Sequence, residues 1–408
     1  MSTLDEYAAV AGEDVIDELR VLARHVGTRR LQNINSTAVG GGVAEILSRM
    51  VPLLRELGVG TTWDVIRGDE AFFAVTKAFH NALHGQRETL SDEMFDIYME
   101  NTRRNLEGIE LNGDVVLVHD PQPAGLVSAR HGAQRWIWRC HIDVSAPDRW
   151  VWGFLRPIVD RYDAAIFSMP SFAQVLSIPQ FLVAPSIDPL APKNRDLDDE
   201  TIAKVLELYQ IDPARPLLAQ ISRFDRLKDP LGVIAAYRMV RRRQDCQLVL
   251  AGGGASDDPE GMMVLQEVHE AAEGDPDIHV ILLPPYSDTE INALVRGSTI
   301  VIQKSLKEGF GLTVAEALWK RKPVIAGAVG GIKIQVIDDL TGYLVHSPEG
   351  AAHRILQLLR DPQLRRVMGE NGYEHVRRNF LLTRHIKDYL LMMLAVDHLG
   401  EHVVLLDA

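Results

Sequence analysis

The chain has 408 residues, of which 46% are hydrophobic and 24% are charged, as is typical of a globular protein long enough for two domains. Its formal net charge of −13 argues against nucleic-acid binding over the whole surface, although a local basic cleft is compatible with it. The sequence shows no apolar run of membrane-spanning length and no secretory signal, so we expect a cytoplasmic protein without nucleic-acid or membrane partners.

Segments typical of strands and helices alternate through the first half of the chain. After a helical segment over residues 4–24, apolar patterns predict strands at residues 30–36, 62–66, 114–119, 135–141, 164–168 and 181–184. Helices are predicted at residues 43–57, 69–84, 91–107 and 149–159. This alternation predicts a doubly wound α/β domain.

A second α/β series begins after a proline-rich segment. Residues 184–194 carry three prolines and predict an extended linker, so we place the domains at residues 1–187 and 188–383. Strands are predicted at residues 216–222, 247–251, 279–283, 299–303 and 323–326, and helices at 230–243, 262–273, 288–296, 313–321, 349–359, 362–380 and 384–398. Two such Rossmann-like sheets, facing each other, would form one cleft beside the C-terminal ends of their strands.

One stretch combines a strand, a glycine-punctuated turn and a helix start, where backbone N–H groups point at an anionic ligand. Glu308 precedes Gly309-Phe310-Gly311, whose missing side chains allow a ligand close to the backbone. A carboxylate there would accept hydrogen bonds from sugar hydroxyls. Glu316, by contrast, fits a capping box with Thr313, which would explain it without a ligand.

The loop after the first predicted strand of the second half carries Arg223 and Lys228. The following Asp229 and Pro230 are typical of a helix N-cap and a first helical residue, so their role is structural. A solvated charged turn would account for Arg223 and Lys228 in isolation. Beside an anion-binding turn they suit a diphosphate, because arginine offers a planar fork and lysine a point charge.

Two other glycine-rich turns follow strands. Gly40-Gly41-Gly42 precedes a helix, and its N–H groups are candidates to meet phosphates from the first domain. Gly252-Gly253-Gly254 has no helix start immediately behind it, so we assign it to turn geometry or to the base end of a nucleotide.

Histidine and cysteine give no pattern of a structural metal site. Cys140 and Cys246 lie in apolar, strand-like runs, and we expect buried free thiols. His119-Asp120 and His141-Ile-Asp143 follow strands of the first domain. A lone histidine at a strand end is usually structural, but two such pairs on one rim are harder to explain in that way. Their residue types would suit a metal ion, although no other feature of the sequence supports one.

These residues together resemble the retaining nucleotide-sugar glycosyltransferases of the GT-B fold, the group that contains sucrose and sucrose-phosphate synthases. The resemblance covers nearly the whole chain, and its parts occur in the family's order. Narrower stretches are similar to the trehalose glycosyltransferring synthases and to their relatives, the trehalose phosphorylases. These stretches are residues 119–123, 138–143, 184–194 and 257–261.

The resemblance implies a role for each matched residue. Arg223 and Lys228 would hold the donor diphosphate, Glu308 and the backbone of residues 310–313 the donor hexose and distal phosphate, and Glu316 the ribose hydroxyls. The implied donor-binding set is Gly41, Gly42, Arg223, Lys228, Glu308, Phe310, Gly311, Leu312, Thr313 and Glu316. The implied acceptor-binding set is His119, Asp120, His141 and Asp143, and the implied catalytic set is His141, Asp143, Arg223, Lys228 and Glu308.

The activity implied by the resemblance is transfer of glucose from a nucleoside-diphosphate glucose to free glucose, giving trehalose. No first-domain residue is an evident nucleophile of the kind that retaining glycosidases use. The family's favoured route is front-face attack, in which the leaving phosphate takes the acceptor's proton. Neither a cofactor nor a metal ion would then be required. A C-terminal helix within about residues 384–408 would cross back to the first domain.

Other functions stay open at this point. A trehalose phosphorylase would use phosphate in place of a nucleotide. Another nucleotide-sugar hexosyltransferase or an epimerase would share the fold, as would a ligand-binding or regulatory protein without turnover. The expected partners are small molecules. The nucleotide base and the oligomeric state are undetermined, with a homodimer as one alternative.

Overall fold

A computed structural model describes residues 3–39, 41–253 and 259–400 of the chain. Gly40 of the first glycine-rich turn, Gly254 of the later one, and Asp257 and Asp258 of one family-like stretch lie outside the described residues. The chain forms two compact units, the first comprising Met1–Ser186 with Leu382–Ala408 and the second Ile187–Leu381. Within the described residues, no helix combines the length and apolar character that crossing a membrane requires.

The first unit contains a six-stranded parallel sheet with the order β2-β1-β3-β4-β5-β6. Its strands are β1 (Arg30–Asn35), β2 (Gly60–Val65), β3 (Val115–His119), β4 (Arg135–Arg139), β5 (Ala164–Phe167) and β6 (Gln180–Leu182). Its first helices are α1 (Leu4–Ala11), α2 (Glu13–Val26), α3 (Gly41–Glu56), α4 (Glu70–Leu83), α5 (Asp92–Gly108) and α6 (Arg149–Val159). The single helix predicted over residues 4–24 is wrong, because Gly12 interrupts it with a φ of +110°.

The second unit contains another six-stranded parallel sheet, with the order β12-β11-β10-β7-β8-β9. Its strands are β7 (Leu217–Ile221), β8 (Gln247–Gly253), β9 (Ile278–Leu283), β10 (Ile300–Gln303), β11 (Val324–Gly327) and β12 (Gly342–Val345). Its helices are α7 (Asp199–Leu208), α8 (Pro230–Arg241), α9 (Pro259–Ala272), α10 (Asp288–Gly297), α11 (Leu312–Trp319), α12 (Ile332–Gln335), α13 (Pro348–Arg360) and α14 (Pro362–Asn379). The predicted doubly wound domains are confirmed, although α7, α12 and β12 were not predicted.

Both sheets reverse their direction of strand addition at a switch point, where α/β proteins bind ligands beyond the carboxyl ends of the strands. In the second sheet the switch lies between β7 and β10, and the strand order is that of dinucleotide-binding domains. In the first sheet it lies between β1 and β3. The loops after these four strands carry most of the candidate site residues.

The proline-rich segment at residues 184–194 joins the two units as its sequence predicts, but it is not extended throughout, because turns begin at Pro189. The Asp188 carboxylate accepts the Leu190 N–H at 2.9 Å, and Asn194 Nδ2 donates to the Asp188 carbonyl oxygen at 2.8 Å. These bonds fold the start of the second unit into buried turns. The prolines are compatible with this arrangement because proline also favours turns.

The last described helix, α15 (Leu382–Ala395), belongs to the first unit and packs against α2. Lys387 Nζ lies 2.6 Å from the Glu18 carboxylate of α2. Arg384 donates to the carbonyl oxygens of Ala184 and Pro185 at 2.7 and 3.0 Å. The helix is therefore fixed to the first unit both by its apolar face and by polar contacts at its start.

Candidate functional site

The second unit brings together the loops that follow β7 and β10. These strands are hydrogen-bonded neighbours, with Leu218 paired to Ile300, so both loops leave the sheet at its switch point. The Leu306 N–H donates to the Leu227 carbonyl oxygen at 2.7 Å and joins the two loops directly. Arg223, Lys228 and Glu308 consequently lie on one connected surface.

Lys228 and Glu308 form the central contact of this surface. Lys228 Nζ lies 2.5 Å from Glu308 Oε2, and Ser305 Oγ lies 3.3 Å from the same oxygen. Gln220 Nε2 donates to the Lys228 carbonyl oxygen at 2.7 Å, which fixes the backbone beneath the lysine. The side chains of Lys228 and Glu308 are only 17% and 10% exposed, so each charge depends on the other for compensation.

Asp229 holds the loop after β7 in place. Its carboxylate accepts the Gly232 N–H at 3.1 Å as the N-cap of α8, with Pro230 as the first helical residue. Both structural predictions for this pair are confirmed. Asp229 adopts a φ of +51° and also forms an ion pair with the buried Lys304. The N-cap bond and the ion pair both fix Asp229, the residue that follows Lys228.

Arg223 lies at the start of the same loop, but its side chain is 62% exposed. Its Nη2 lies 3.4 Å from Asp225 Oδ2. The Asp225 carboxylate also accepts the Leu227 N–H at 2.7 Å and so stabilises the turn. Arg223 therefore presents a guanidinium group toward solvent at the edge of the surface that Lys228 and Glu308 form.

The turn after β11 supports the loop of Glu308. A Cβ atom on Gly330 would lie 1.6 Å from the Glu308 carbonyl oxygen, so only glycine fits at this approach. The Gly331 N–H donates to the Gly309 carbonyl oxygen at 3.1 Å, and the buried Gln335 side chain donates to the Phe310 carbonyl oxygen. These supports were not predicted from the sequence, although Gly330-Gly331 follows a strand and precedes a helix, as the turn at Gly309-Phe310-Gly311 does.

Helix α11 begins at Leu312, with Gly311 as its N-cap at a φ of +84°. The N–H groups of its first turn, including those of Leu312 and Thr313, have no acceptor within the helix. Together with the positive end of the helix dipole they favour an anion. Phe310 is buried, with its ring 5.6 Å from that of Phe380, so its contribution to this site is its backbone.

The predicted capping box between Thr313 and Glu316 is wrong. The helix starts before Thr313, and the Glu316 carboxylate instead lies 2.7 Å from Lys193 Nζ. The side chains of Lys193 and Glu316 are 15% and 6% exposed. Lys193 comes from the turns that begin the second unit. Its only sequence signal is its position within a family-like stretch.

A buried lysine fixes the same turns to α11. Lys320 Nζ donates to Asn194 Oδ1 at 2.9 Å and to the Glu316 carbonyl oxygen at 3.1 Å. Burial lowers the pKa of Lys320 to about 7, although the nearby Glu316 carboxylate favours the charged form. The segment predicted to be a linker thus supplies Lys193 and Asn194, which contact Glu316 of α11 and Lys320 at its end.

The first unit places Gly41 and Gly42 at the start of α3. Gly41 is exposed and has a φ of +78°, a value that glycine adopts without strain. Asn35, at the end of β1, donates to the Thr37 carbonyl oxygen at 2.7 Å and accepts from Trp63 Nε1 at 2.8 Å. The start of the loop after β1 is therefore fixed by polar contacts of Asn35.

His119, Asp120 and His141 meet at the ends of β3 and β4. His119 Nδ1 lies 3.1 Å from His141 Nε2, with the two rings stacked at 5.4 Å. Asp120 has a φ of +65°, and its carboxylate accepts the His141 N–H at 2.7 Å. Asp143 is buried, and its carboxylate accepts the Ser145 N–H at 3.0 Å. The structure thus joins the first three residues directly and places Asp143 two residues further on.

Burial controls the ionisation of this group. Burial, together with the charge of Arg139, lowers the pKa of His119 to about 3 and holds the pKa of His141 well below its usual value. Burial raises the pKa of Asp120 to about 6, even though the hydrogen bond from His141 and the Arg139 charge oppose the shift. Both imidazole rings are therefore neutral at neutral pH and act as hydrogen-bonding groups.

Family models match both units. The model described as "Trehalose synthase, N-terminal domain" matches residues 33–174, and the model "Glycosyl transferases group 1" matches residues 205–375. The trehalose synthase of Rubrobacter xylanophilus is 44% identical over 398 residues, or 95% of both chains. The trehalose phosphorylase of Grifola frondosa is 29% identical over 428 residues, which span 91% of this chain and 58% of that protein.

Solved structures show the same architecture. The sucrose-phosphate synthase of Thermosynechococcus elongatus superposes with a TM-score of 0.69 at 17% identity, covering 90% of this chain and 99% of that one. Its two-domain fold and the glycosyltransferase match define an enzyme, a glycosyltransferase of the GT-B fold. At 44% identity to a trehalose synthase over 95% of both chains, the chain belongs to the trehalose synthase family.

Proposed function

We propose that the protein transfers glucose from a nucleoside-diphosphate glucose to free glucose with retention of configuration, producing trehalose. The observation that carries this proposal is the Lys228–Glu308 pair beside the open start of α11. It provides a cation and N–H groups for a diphosphate next to a carboxylate for sugar hydroxyls. Membership of the trehalose synthase family supports trehalose as the product.

On the donor side, Lys228 and Arg223 neutralise the charge that develops on the departing diphosphate. The N–H groups at the start of α11 contribute to the same stabilisation. Glu308 then accepts hydrogen bonds from the donor hexose, and Glu316 accepts from the ribose hydroxyls. Lys193 holds the Glu316 carboxylate in place for that contact. With these groups present, the proposed mechanism requires no metal ion and no cofactor.

On the acceptor side, His141 and Asp120 bind the hydroxyls of the incoming glucose, supported by His119 and Asp143. The bond between the anomeric carbon and the diphosphate oxygen breaks. The acceptor oxygen forms the new bond on the same face, and its proton passes to the leaving phosphate oxygen. The products are trehalose and a nucleoside diphosphate. In this route the protein supplies alignment and charge stabilisation in place of a nucleophile.

The phosphorylase alternative has weaker support. The phosphorylase relative is 29% identical, against 44% for the synthase, and this chain spans 58% of its length. Thermal unfolding separates the two functions, because a ligand that binds only the folded state raises Tm. We expect uridine, adenosine or guanosine diphosphate to raise Tm at a concentration where inorganic phosphate does not. Protection by phosphate alone would favour the phosphorylase.

A further inference from the structure

A chain of polar contacts leads from the backbone of β2 to His141. Asn33 contacts the Thr62 carbonyl oxygen through Nδ2 at 3.3 Å and His119 Nε2 through Oδ1 at 3.2 Å. His119 Nδ1 then lies 3.1 Å from His141 Nε2. Asn33 and His119 are 0% and 2% exposed, whereas His141 is only partly buried. These polar contacts thus run from the interior of the sheet to His141, the most exposed of the three side chains.

The first contact fixes the orientation of the Asn33 amide. A carbonyl oxygen only accepts hydrogen bonds, so the group that faces Thr62 must be the NH₂ of Asn33. Its Oδ1, which also only accepts, is then directed at His119. His119 Nε2 must carry a hydrogen, because two buried acceptors facing each other would leave both without a partner.

The contact between His119 and His141 then determines which ring nitrogen of His141 carries the proton. His119 is neutral, since burial and the charge of Arg139 lower its pKa to about 3. With its single proton on Nε2, His119 can only accept at Nδ1. The facing nitrogen, His141 Nε2, must therefore donate. His141 is neutral for the same reason, so its Nδ1 carries a lone pair.

We propose that Asn33 is a positioning residue that fixes His141 as its Nε2–H tautomer, acting through His119. The inference rests on the proposed contact of His141 with the acceptor glucose. It adds that His141 accepts the hydrogen bond in that contact. Within the described parts of the chain, His141 Nδ1 has no hydrogen-bond partner. This nitrogen accepts a hydrogen bond from a hexose hydroxyl and cannot donate one.

The test is the ¹⁵N NMR spectrum of the full chain labelled at histidine, in which protonated and unprotonated ring nitrogens are well separated. The His141 signals are assigned by their loss in His141→Gln. In the unaltered protein we expect a protonated Nε2 and an unprotonated Nδ1. In Asn33→Leu, which removes the acceptor at similar volume, we expect His141 to populate both tautomers. Its kcat/KM for glucosyl transfer should fall about tenfold, the equivalent of one hydrogen bond.

The matched control is Gln32→Leu, which removes a buried amide at the adjacent position of β1. Gln32 donates to Asp64 and to the Glu110 carbonyl oxygen, away from the histidines. We expect it to lower Tm and leave the His141 signals unchanged. A proton on His141 Nδ1 in the unaltered protein would overturn the proposal without any variant. So would an unchanged tautomer in Asn33→Leu or an equal change in Gln32→Leu. The proposed function fails separately, if the unaltered protein makes no trehalose.

Discussion

Lys228 Nζ lies 2.5 Å from Glu308 Oε2 and so connects the loop after β7 to the loop after β10. A diphosphate entering this surface would compete with the glutamate for the lysine. In the proposed function, phosphate binding to Lys228 would free the Glu308 carboxylate for the hydroxyls of the donor sugar. The pair would thereby couple recognition of the leaving group to recognition of the sugar.

Replacing Glu308 by glutamine should therefore reduce activity and, because it leaves the largely buried Lys228 without its carboxylate, should also lower Tm. We expect Glu308→Gln to lower kcat/KM by about tenfold to a hundredfold, the equivalent of 1.5–3 kcal/mol for hydrogen bonds to a charged group. Steady-state kinetics and thermal unfolding measure the two effects. The control is Glu267→Gln, which breaks the exposed ion pair with Arg226 and should keep full activity. A weaker donor affinity with unchanged kcat would instead indicate a protein that binds the donor without using Glu308 in turnover.

Arg223→Ala tests stabilisation of the leaving group. Because the side chain is 62% exposed, its removal should change Tm little. We expect kcat to fall by at least about tenfold, since a charge-assisted contact to the diphosphate strengthens as the bond breaks. Arg226→Ala removes another exposed arginine from the same loop and should retain activity. Parallel losses of Tm and activity in Arg223→Ala would show that the residue is structural.

Lys193→Met tests the support of Glu316. The substitution leaves a buried carboxylate without its cation, so we expect a loss of stability of about 3–5 kcal/mol. We also expect a higher KM for the donor and an unchanged KM for glucose. The double variant Lys193→Met/Glu316→Gln should recover stability but not donor affinity. Lys204→Met, which breaks an exposed ion pair with Glu200, should change neither quantity. An unchanged donor KM in Lys193→Met would refute the proposed link to the nucleotide.

The first unit should lose stability in mild acid. His119 and His385 are buried, and burial lowers the pKa of His119 to about 3 and that of His385 well below its usual 6.5. Below about pH 6.5, each histidine therefore takes up a proton only on unfolding, and the free energy of unfolding falls as the pH falls. Asp120 has the opposite sign, because its raised pKa of about 6 makes the folded state bind the extra proton between about pH 4 and 6.

His385→Gln isolates one contribution to this dependence. His385 contacts Ser186 Oγ at 2.9 Å in the interior of the first unit. Its replacement should reduce the slope of unfolding free energy against pH by close to one proton, or about 1.4 kcal/mol per pH unit, at about one pH unit or more below 6.5. Urea unfolding at a series of pH values measures the slope. The exposed His131→Gln should keep the original slope, and an unchanged slope in His385→Gln would contradict the assignment.

Local signals predicted much of this structure correctly. Asp229 and Pro230 were identifiable as a helix start because an N-cap and its first helical residue are neighbours in sequence. The alternating strands and helices were likewise visible from periodicity. Cys140 and Cys246 are buried free thiols, as their apolar surroundings predicted. The loop residues Lys228 and Glu308 were recognised individually, and the structure shows that they touch.

Contacts between residues that lie far apart in the sequence could not be predicted from it. The capping box at Glu316 was a plausible local pattern, but Lys193 takes the carboxylate instead. Gly330 supports Glu308 through a backbone approach that only the folded chain reveals. No sequence pattern indicated a role for Asn33, because that role depends on its contact with His119 at the end of another strand. These partners are set by strand order, which composition and spacing do not determine.

The most direct test of the account is a product assay with uridine, adenosine and guanosine diphosphate glucose as donors and free glucose as the acceptor. The account predicts trehalose by chromatography, one nucleoside diphosphate released per trehalose, and an α,α linkage by NMR. Omitting glucose should abolish trehalose, and adding a chelator should not. Failure to form trehalose from any of these donors, or formation that requires phosphate and no nucleotide, would contradict the central claim.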